Sequence, residues 1–422
     1  MESVWRKYLT SGKFGKLENG AQLDTVVVGG GIAGIMCAYM LSKSGHSVTL
    51  IEAGKILEGV TASTTAHVTA LQGKYRDIPA AKKRRLYYQS QTEAIDGIEK
   101  LGIDCDFRRL DGFVFGDKKD IKKEYNAMRK FCPDLEHSSD KIKLPNQAQF
   151  NPIKFCLGLL GGFDIIENCR IKKVKLTRKR LVTEDKVFKY KRLVLATGFP
   201  IVNIRGLYAF KMYKSFSYAV CVPDGKKVGA LHNAAAGDGL TYRDSADGVI
   251  IGGLDHRTGR HKCSDYFDKL SKARKFAWAA NDCMTFDAIP IAGRLLRFRA
   301  RKSAYVISGF GKWGMTNSYV CAKIVDDIIN KRPNIYKRLF KPTRVLNIKV
   351  WLKFFWNFLQ DGLGLLAGLF SSGKRVCPHM GCRLKLNPNT GTFDCPCHGS
   401  RFTGKGDIIT SPAVDANEKL SR

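Results

Sequence analysis

The hydrophobic positions of this chain fall into short blocks with two different periods. Residues 23–28 (LDTVVV) form a β-branched run that predicts a buried strand. A glycine-rich turn follows at 29–34 (GGGIAG). The apolar stretch at 35–45 (IMCAYMLSKSG) then predicts a helix closed by Gly45. A second strand is predicted over 47–52 (SVTLIE), ending in Glu52. Residues 75–160 read as basic helical stretches separated by polar loops. Short strands alternate from 163 to 200 and close on LVLATGFP at 193–200. Residues 216–254 are again strand-rich, and a helix is predicted through 270–281. The segment 304–316 (AYVISGFGKWGMT) leads into a last helix over 317–330. Pro333 and Pro342 mark a basic linker, and 350–370 is aromatic and amphipathic. The remainder is rich in glycine and proline and carries cysteines.

Composition narrows the class. The 422 residues are 44% hydrophobic and 26% charged, a globular balance that excludes disordered and fibrous chains. Two or three domains are expected at this length. The N-terminus lacks the apolar core of a secretory leader. Residues 350–370 are interrupted by Lys353, Asn357, Gln360 and Asp361, too often for a membrane span. The 71 Lys+Arg against 38 Asp+Glu give a net charge of +33. The basic runs at 82–85, 118–123, 170–180 and 294–302 are dispersed and no nucleic-acid-binding motif accompanies them. They read as solvated faces, and no nucleic-acid partner is expected. Of 13 cysteines, nine are scattered from Cys37 to Cys321, the pattern of reduced, buried thiols in a cytoplasmic protein. The other four crowd into 377–397 and mark a site.

Gly29, Gly31 and Gly34 make a G-x-G-x-x-G turn between a strand and a helix. The first glycine permits the tight turn. The second lets backbone approach a pyrophosphate, and the third lets helix and sheet pack closely. The helix N-terminus offers free N–H groups to phosphate. Glu52, at the end of the next strand, is placed to accept from ribose hydroxyls. The same pattern recurs at 309–314 (GFGKWG), but no second strand with a terminal acid follows it, so it is not read as a second dinucleotide site. The fingerprint alone does not separate FAD from NAD. Three features favour FAD: the strand-and-turn LVLATGFP with Thr197 and Gly198, Ile171 as an adenine contact, and the strand-to-helix segment around 309–315. Gly309, Lys312, Trp313, Gly314 and Met315 would there bring a helix dipole to a reduced flavin.

Residues 20–330 resemble the D-amino-acid-oxidase-like flavoproteins, which include glycine and sarcosine oxidases. The resemblance rests on VVVGGGIAG, TLIEAG, EGVTASTTAHVTALQG, LVLATGFP, WAANDCMTFDAIPIAG and GFGKWGMT. It implies an α/β fold: a Rossmann-type FAD-binding domain with an interleaved α+β substrate domain. It also implies that Thr61, Thr64 and Thr65 contact the pyrophosphate and ribityl chain. The reaction it implies is oxidation of an amine or amino-acid-like substrate.

Two loops, CPHMGC at 377–382 and CPCHGS at 395–400, carry a cysteine and a histidine each, with an extra cysteine in both. Two Cys-plus-His pairs fit a Rieske [2Fe–2S] centre. Cys377 and Cys395 would hold one iron, His379 and His398 the other. A zinc quartet is the alternative, but it leaves the two extra cysteines and the paired loops unexplained. The loops resemble those of respiratory-type Rieske proteins, and that resemblance implies a Cys382–Cys397 disulfide. The domain at 371–422 is short for the family, having almost no strand before its first loop. The whole chain resembles flavoproteins that carry such a C-terminal β domain, joined here by a linker and amphipathic segment at 331–370.

The expected chemistry is therefore electron passage from substrate to FAD, to the cluster and to an external acceptor. Arg243 is a candidate for pairing a substrate carboxylate, and His256 for acid–base work. Two other readings are a redox-sensing or partner-docking flavoprotein and a plain oxygen-using amine oxidase. The aromatic segment is expected to pack the tail onto the flavin domain, with peripheral contact to a membrane surface as the alternative.

Overall fold

The computed structural model describes residues 2–10, 12, 14–202, 206–235, 239–296, 303–344, 348–369 and 375–420. The start of the expected tail domain at 371 and the end of the basic run at 294–302 lie outside them. The first strand, Gln22–Val28, is central in a parallel sheet. Val48–Ile51 and Asp164–Ile166 lie on one side of it, Val187–Leu195 and Ala304–Ser308 on the other. Both faces are buried. Val27, Val194 and Ile307 point into one apolar cluster, while Val26, Val28, Leu193, Leu195 and Val306 point into another. That alternation explains why LDTVVV and LVL read as unbroken hydrophobic runs. Helices Ile32–Lys43 and Gly314–Ile329 pack against each other and the sheet. The expected segments KVFKY and LVL are one continuous strand, Val187–Leu195.

The chain leaves this sheet twice to build a second one of nine mostly antiparallel strands. Arg108–Phe115 and Lys141–Gln149 are inserted before Asp164–Ile166. Met212–Val222 through Phe276–Thr285 are inserted after Val187–Leu195. This is the interleaved α/β architecture expected from the sequence, with one correction at 270–281. There a short helix, Tyr266–Leu270, is followed by the strand Phe276–Thr285. Alanine and lysine favour a helix locally. The alternate residues Phe276, Trp278 and Ala280 instead join a ladder with Met212–Val222 that runs from Met212↔Thr285 to Cys221↔Phe276, and tertiary pairing wins. Residues 75–160 likewise contain strands as well as the helices Ala81–Glu99, Lys118–Met128 and Pro152–Gly158.

The linker is pinned by Arg344, whose guanidinium grips both carboxylate oxygens of buried Asp287 at 2.6 Å. Helix Ile348–Leu369 follows. The tail is a four-stranded antiparallel sheet, Lys385–Asn387, Thr392–Asp394, Arg401–Phe402 and Ile408–Thr410. Its core consists of Cys377, Cys382, Leu384, Cys395, Cys397, Phe402 and Ala413, with Leu365 of the helix packed against them.

Candidate active site

The turn after the first strand is shaped by contacts that only glycine permits. A Cβ on Gly34 would stand 1.8 Å from the Gly29 carbonyl oxygen, and one on Gly29 would meet Ala196 O at 2.4 Å. Gly29 also has φ +117, the left-handed side of the map. Gly34 thus seats the helix while Gly29 and Gly31 line a cavity of about 310 Å3. Thr61 Oγ1 accepts from Ile32 N at 3.0 Å and so fixes the first turn of the helix. Glu52 accepts from Gly30 N (2.6 Å) and Gly54 N (3.0 Å), which orients its carboxylate at the cavity wall. Thr61, Thr64, Ile171, Thr197 and Gly198 line the same space, as do Gly309, Lys312, Gly314 and Met315. A glycine cradle, a helix N-terminus and an acid on the neighbouring strand end fit a dinucleotide.

A second cavity, of about 490 Å3, shares the walls Val60, Thr64, Asp282, Lys312 and Met315 with the first. Thr65 and Trp313 line it. Among its side chains not singled out from the sequence are His67, Lys74, Asp255 and Asp282. Lys74 lies over the Tyr87 ring at 4.7 Å, and its shielded Nζ has no hydrogen-bond partner among the described residues. Burial pulls its ammonium down to about 7. Burial also raises Asp282 to about 6 and lowers His67 to about 3, so His67 is neutral. Lys312 forms an ion pair with Asp255. Nothing in the local sequence separates these residues from ordinary polar ones; the fold gathers them from four segments.

Arg243 and His256 line neither cavity. Arg243 lies behind the wall. Its guanidinium donates to Ala66 O (2.7 Å) and Thr65 O (3.2 Å) and lies over Trp5, so it holds the loop that carries Thr64 and Thr65. His256 sits at the seam with the tail. Its Nδ1 donates to Arg257 O at 2.9 Å, which leaves Nε2 to accept from Tyr218 OH at 3.1 Å. Tyr218 OH in turn accepts from Asn387 of the tail.

The two cysteine–histidine loops are built alike. In each, the first cysteine N donates to the carbonyl five residues on (Cys377 to Cys382, Cys395 to Ser400), and the glycine N at the fifth position donates back to that cysteine's carbonyl. Gly381 and Gly399 adopt φ +83 and +74 to close these turns. Cys382 and Cys397 are disulfide-bonded and tie one loop to the other. The Cys395 sulfur lies within 4.8 Å of both disulfide sulfurs. A hydrogen bond couples Cys377 and Cys395, holding the Cys377 thiol low and pushing that of Cys395 up. The His379 and His398 rings are perpendicular with centroids 5.1 Å apart. Burial lowers His379 to about 4 and His398 to about 3, the neutral form that binds metal. Both ring nitrogens of His398 are buried with no hydrogen-bond partner among the described residues. Such orphaned nitrogens fit an iron ligand better than a structural histidine.

The tail is also a wall of the dinucleotide cavity. Ile409, Thr410, Ser411, Ala413 and Val414 line it. Ser411 Oγ donates to Thr197 O at 3.1 Å, and Lys214 Nζ to Ser411 O at 2.5 Å. Asn281 lines the cavity and donates to Gly399 O at 2.9 Å, so one side chain separates cavity from ligand loop. Phe199, beside Gly198, meets the edge of His398 at 6.2 Å between centroids.

Residues 24–328 match the family model of the FAD dependent oxidoreductases. The chain belongs to that family. Residues 365–421 match the Rieske [2Fe-2S] domain, so the match begins inside the helix that supplies Leu365. This FAD dependent oxidoreductase is 27% identical to YhfW of Bacillus subtilis (strain 168), described as a Rieske 2Fe-2S iron-sulfur protein, over 98% of this chain and 96% of that one. Its tail is 41% identical to the cytochrome b6-f complex iron-sulfur subunit of Synechococcus sp. (strain JA-3-3Ab), over 11% of this chain and 27% of the subunit. The solved structure of glycine oxidase from Geobacillus kaustophilus shares the fold. Its TM-score is 0.65 at 16% identity, covering 78% of this chain and all of that one. FAD and a [2Fe-2S] cluster are thus the cofactors, and the donor sets described above fit both.

Proposed function

We propose that this oxidoreductase oxidises a small amine or amino-acid-like substrate and delivers the electrons through its Rieske domain to an external acceptor. The observation that carries this reading is the single layer, Asn281 and Lys214, between the dinucleotide cavity and the ligand loop at Gly399. FAD, when bound, accepts two electrons, and the cluster carries one at a time. The chain's own residues bind and orient the substrate. Lys74, in the wall of the second cavity, is the anchor for a substrate carboxylate, since its Nζ has no hydrogen-bond partner among the described residues. Asp282, at the junction of the two cavities and raised to about 6, is a base that can take a proton from the substrate ammonium near neutrality. The Lys312–Asp255 pair lines the same cavity, with Lys312 in the wall it shares with the first.

The test is anaerobic titration of the purified protein with glycine, proline, sarcosine and other amines, following flavin absorbance and the cluster's paramagnetic signal together. Reduction of both supports the reading. Flavin bleaching with a cluster that stays oxidised removes the relay, and peroxide formation that survives loss of the tail indicates an oxidase. Lys74→Met should raise KM for a carboxylate-bearing substrate about 10- to 100-fold, the scale of a hydrogen bond to a charged group. In the unaltered protein, affinity for such a substrate should fall as pH rises through about 7, because Lys74 loses its proton there. The variant should lack that dependence.

A further inference from the structure

Helix Ile348–Leu369 is turned inside out relative to a surface helix of a globular protein. Its inward stripe, at spacings of three and four, is Val350, Phe354, Asn357, Asp361, Gly364 and Gly368. Asp361 pairs with Arg257 at 3.2 Å, and Asn357 donates to Asp361. A Cβ on Gly364 would stand 2.8 Å from Cys397 Sγ, and one on Gly368 would stand 1.9 Å from Gly381 O, so the helix backbone lies directly on the ligand loops. The polar and small residues thus face the protein. The large apolar ones face outward: ten of the fifteen exposed large hydrophobic residues described are on this helix. Among them are Trp351 (48%), Leu352 (64%), Phe355 (58%), Trp356 (64%) and Leu363 (67%). An apolar strip about 33 Å long, by the helical rise, is a surface that monomers in water rarely leave open.

We infer that this face lies on the surface of an anionic membrane, with the helix in the plane of the headgroups. Charge selects this occupant over a second copy of the chain. The only acid on the helix, Asp361, is turned inward to Arg257. Exposed cations flank both ends: Lys337, Arg338 and Lys341 precede it, and Arg383 lies beside its last turn. Face-to-face association would bring together two chains of net charge +33, whereas anionic headgroups turn that charge into attraction. Two outward tryptophans suit the boundary between headgroup and acyl chain. The helix does not cross a bilayer, since its inner face is occupied by the protein. Among the described residues no helix is long and apolar enough to do so. The inference does not depend on the substrate or on the relay proposed above.

The experiment is flotation of the full-length holoprotein with vesicles of phosphatidylglycerol mixed with phosphatidylcholine, and with phosphatidylcholine alone. Binding to the mixed vesicles, a blue shift of tryptophan emission and weakening by added salt are expected. The double variant Trp356→Ser/Leu363→Ser should lower partitioning about 100-fold, given the apolar area withdrawn. Its flavin and cluster absorbance should be unchanged, because both side chains point away from both sites. Arg338→Glu/Lys341→Glu should weaken binding to the mixed vesicles without touching the helix. Failure to bind either vesicle overturns the inference. So does equal binding to both, or a stable dimer that the serine variant dissociates while vesicles leave it intact.

Discussion

The FAD-binding oxidoreductase domain and the tail are held together in different ways. The larger domain has two large apolar clusters on the two faces of its parallel sheet. The tail has seven buried core residues, four of them cysteines, and leans on the helix and on polar seams to its neighbour. A chain segment of this size does not bury enough surface for independent stability. Cross-links and borrowed contacts take the place of a core. The difference teaches that the fold of the tail is conditional on the larger domain, whereas the two apolar cores of the larger domain draw nothing from the tail.

Perturbations should separate the two. The largest expected effect is acid loss of the larger domain through His67. Its folded value, about 3, lies below the ordinary 6.5, so the unfolded chain binds the proton first. Stability is therefore full above about 6.5 and is lost as pH falls toward 3, by up to roughly 5 kcal/mol. Denaturant titrations against pH should show this, and His67→Gln should flatten the slope. Next, Asp287→Ala leaves Arg344 without its partner at the start of the linker. It should destabilise by about 4 kcal/mol, visible as early cleavage of the linker by protease. Third, Cys397→Ser opens a loop of 15 residues and should cost the tail about 3 kcal/mol. The cluster signal should disappear while the flavin domain's melting changes little; equal loss in both domains would refute the asymmetry. The smallest effect is Asn281→Ala, which removes the amide bridging to Gly399 and Thr410. It should cost about 2 kcal/mol and slow cluster reduction relative to flavin reduction in stopped flow.

The sequence made some parts plain and hid others for physical reasons. The strand–turn–helix–strand unit around Gly29 was legible because its constraint is local: glycines required by backbone contacts a few residues apart, on strands buried on both faces. The ligand loops were legible because metal chemistry restricts residue type and spacing. The strand Phe276–Thr285 was not, since its pairing partner lies some sixty residues earlier, a separation that propensity does not see. Arg243 and His256 have the chemistry of substrate contacts, yet the fold spends one on loop carbonyls and the other on the domain seam. Lys74 carries no local signature; what distinguishes it is the lack of a hydrogen-bond partner among the described residues, and that exists only in three dimensions.

The placement of Ile409–Val414 over the nucleotide cavity bears on how the protein is assembled. These residues leave the ribosome long after the glycine turn has been made. Until they arrive the cavity lacks that wall, and Ser411 docking on Thr197 completes it. The nucleotide pocket is therefore finished last, by the same stretch of chain that ends the iron–sulfur domain.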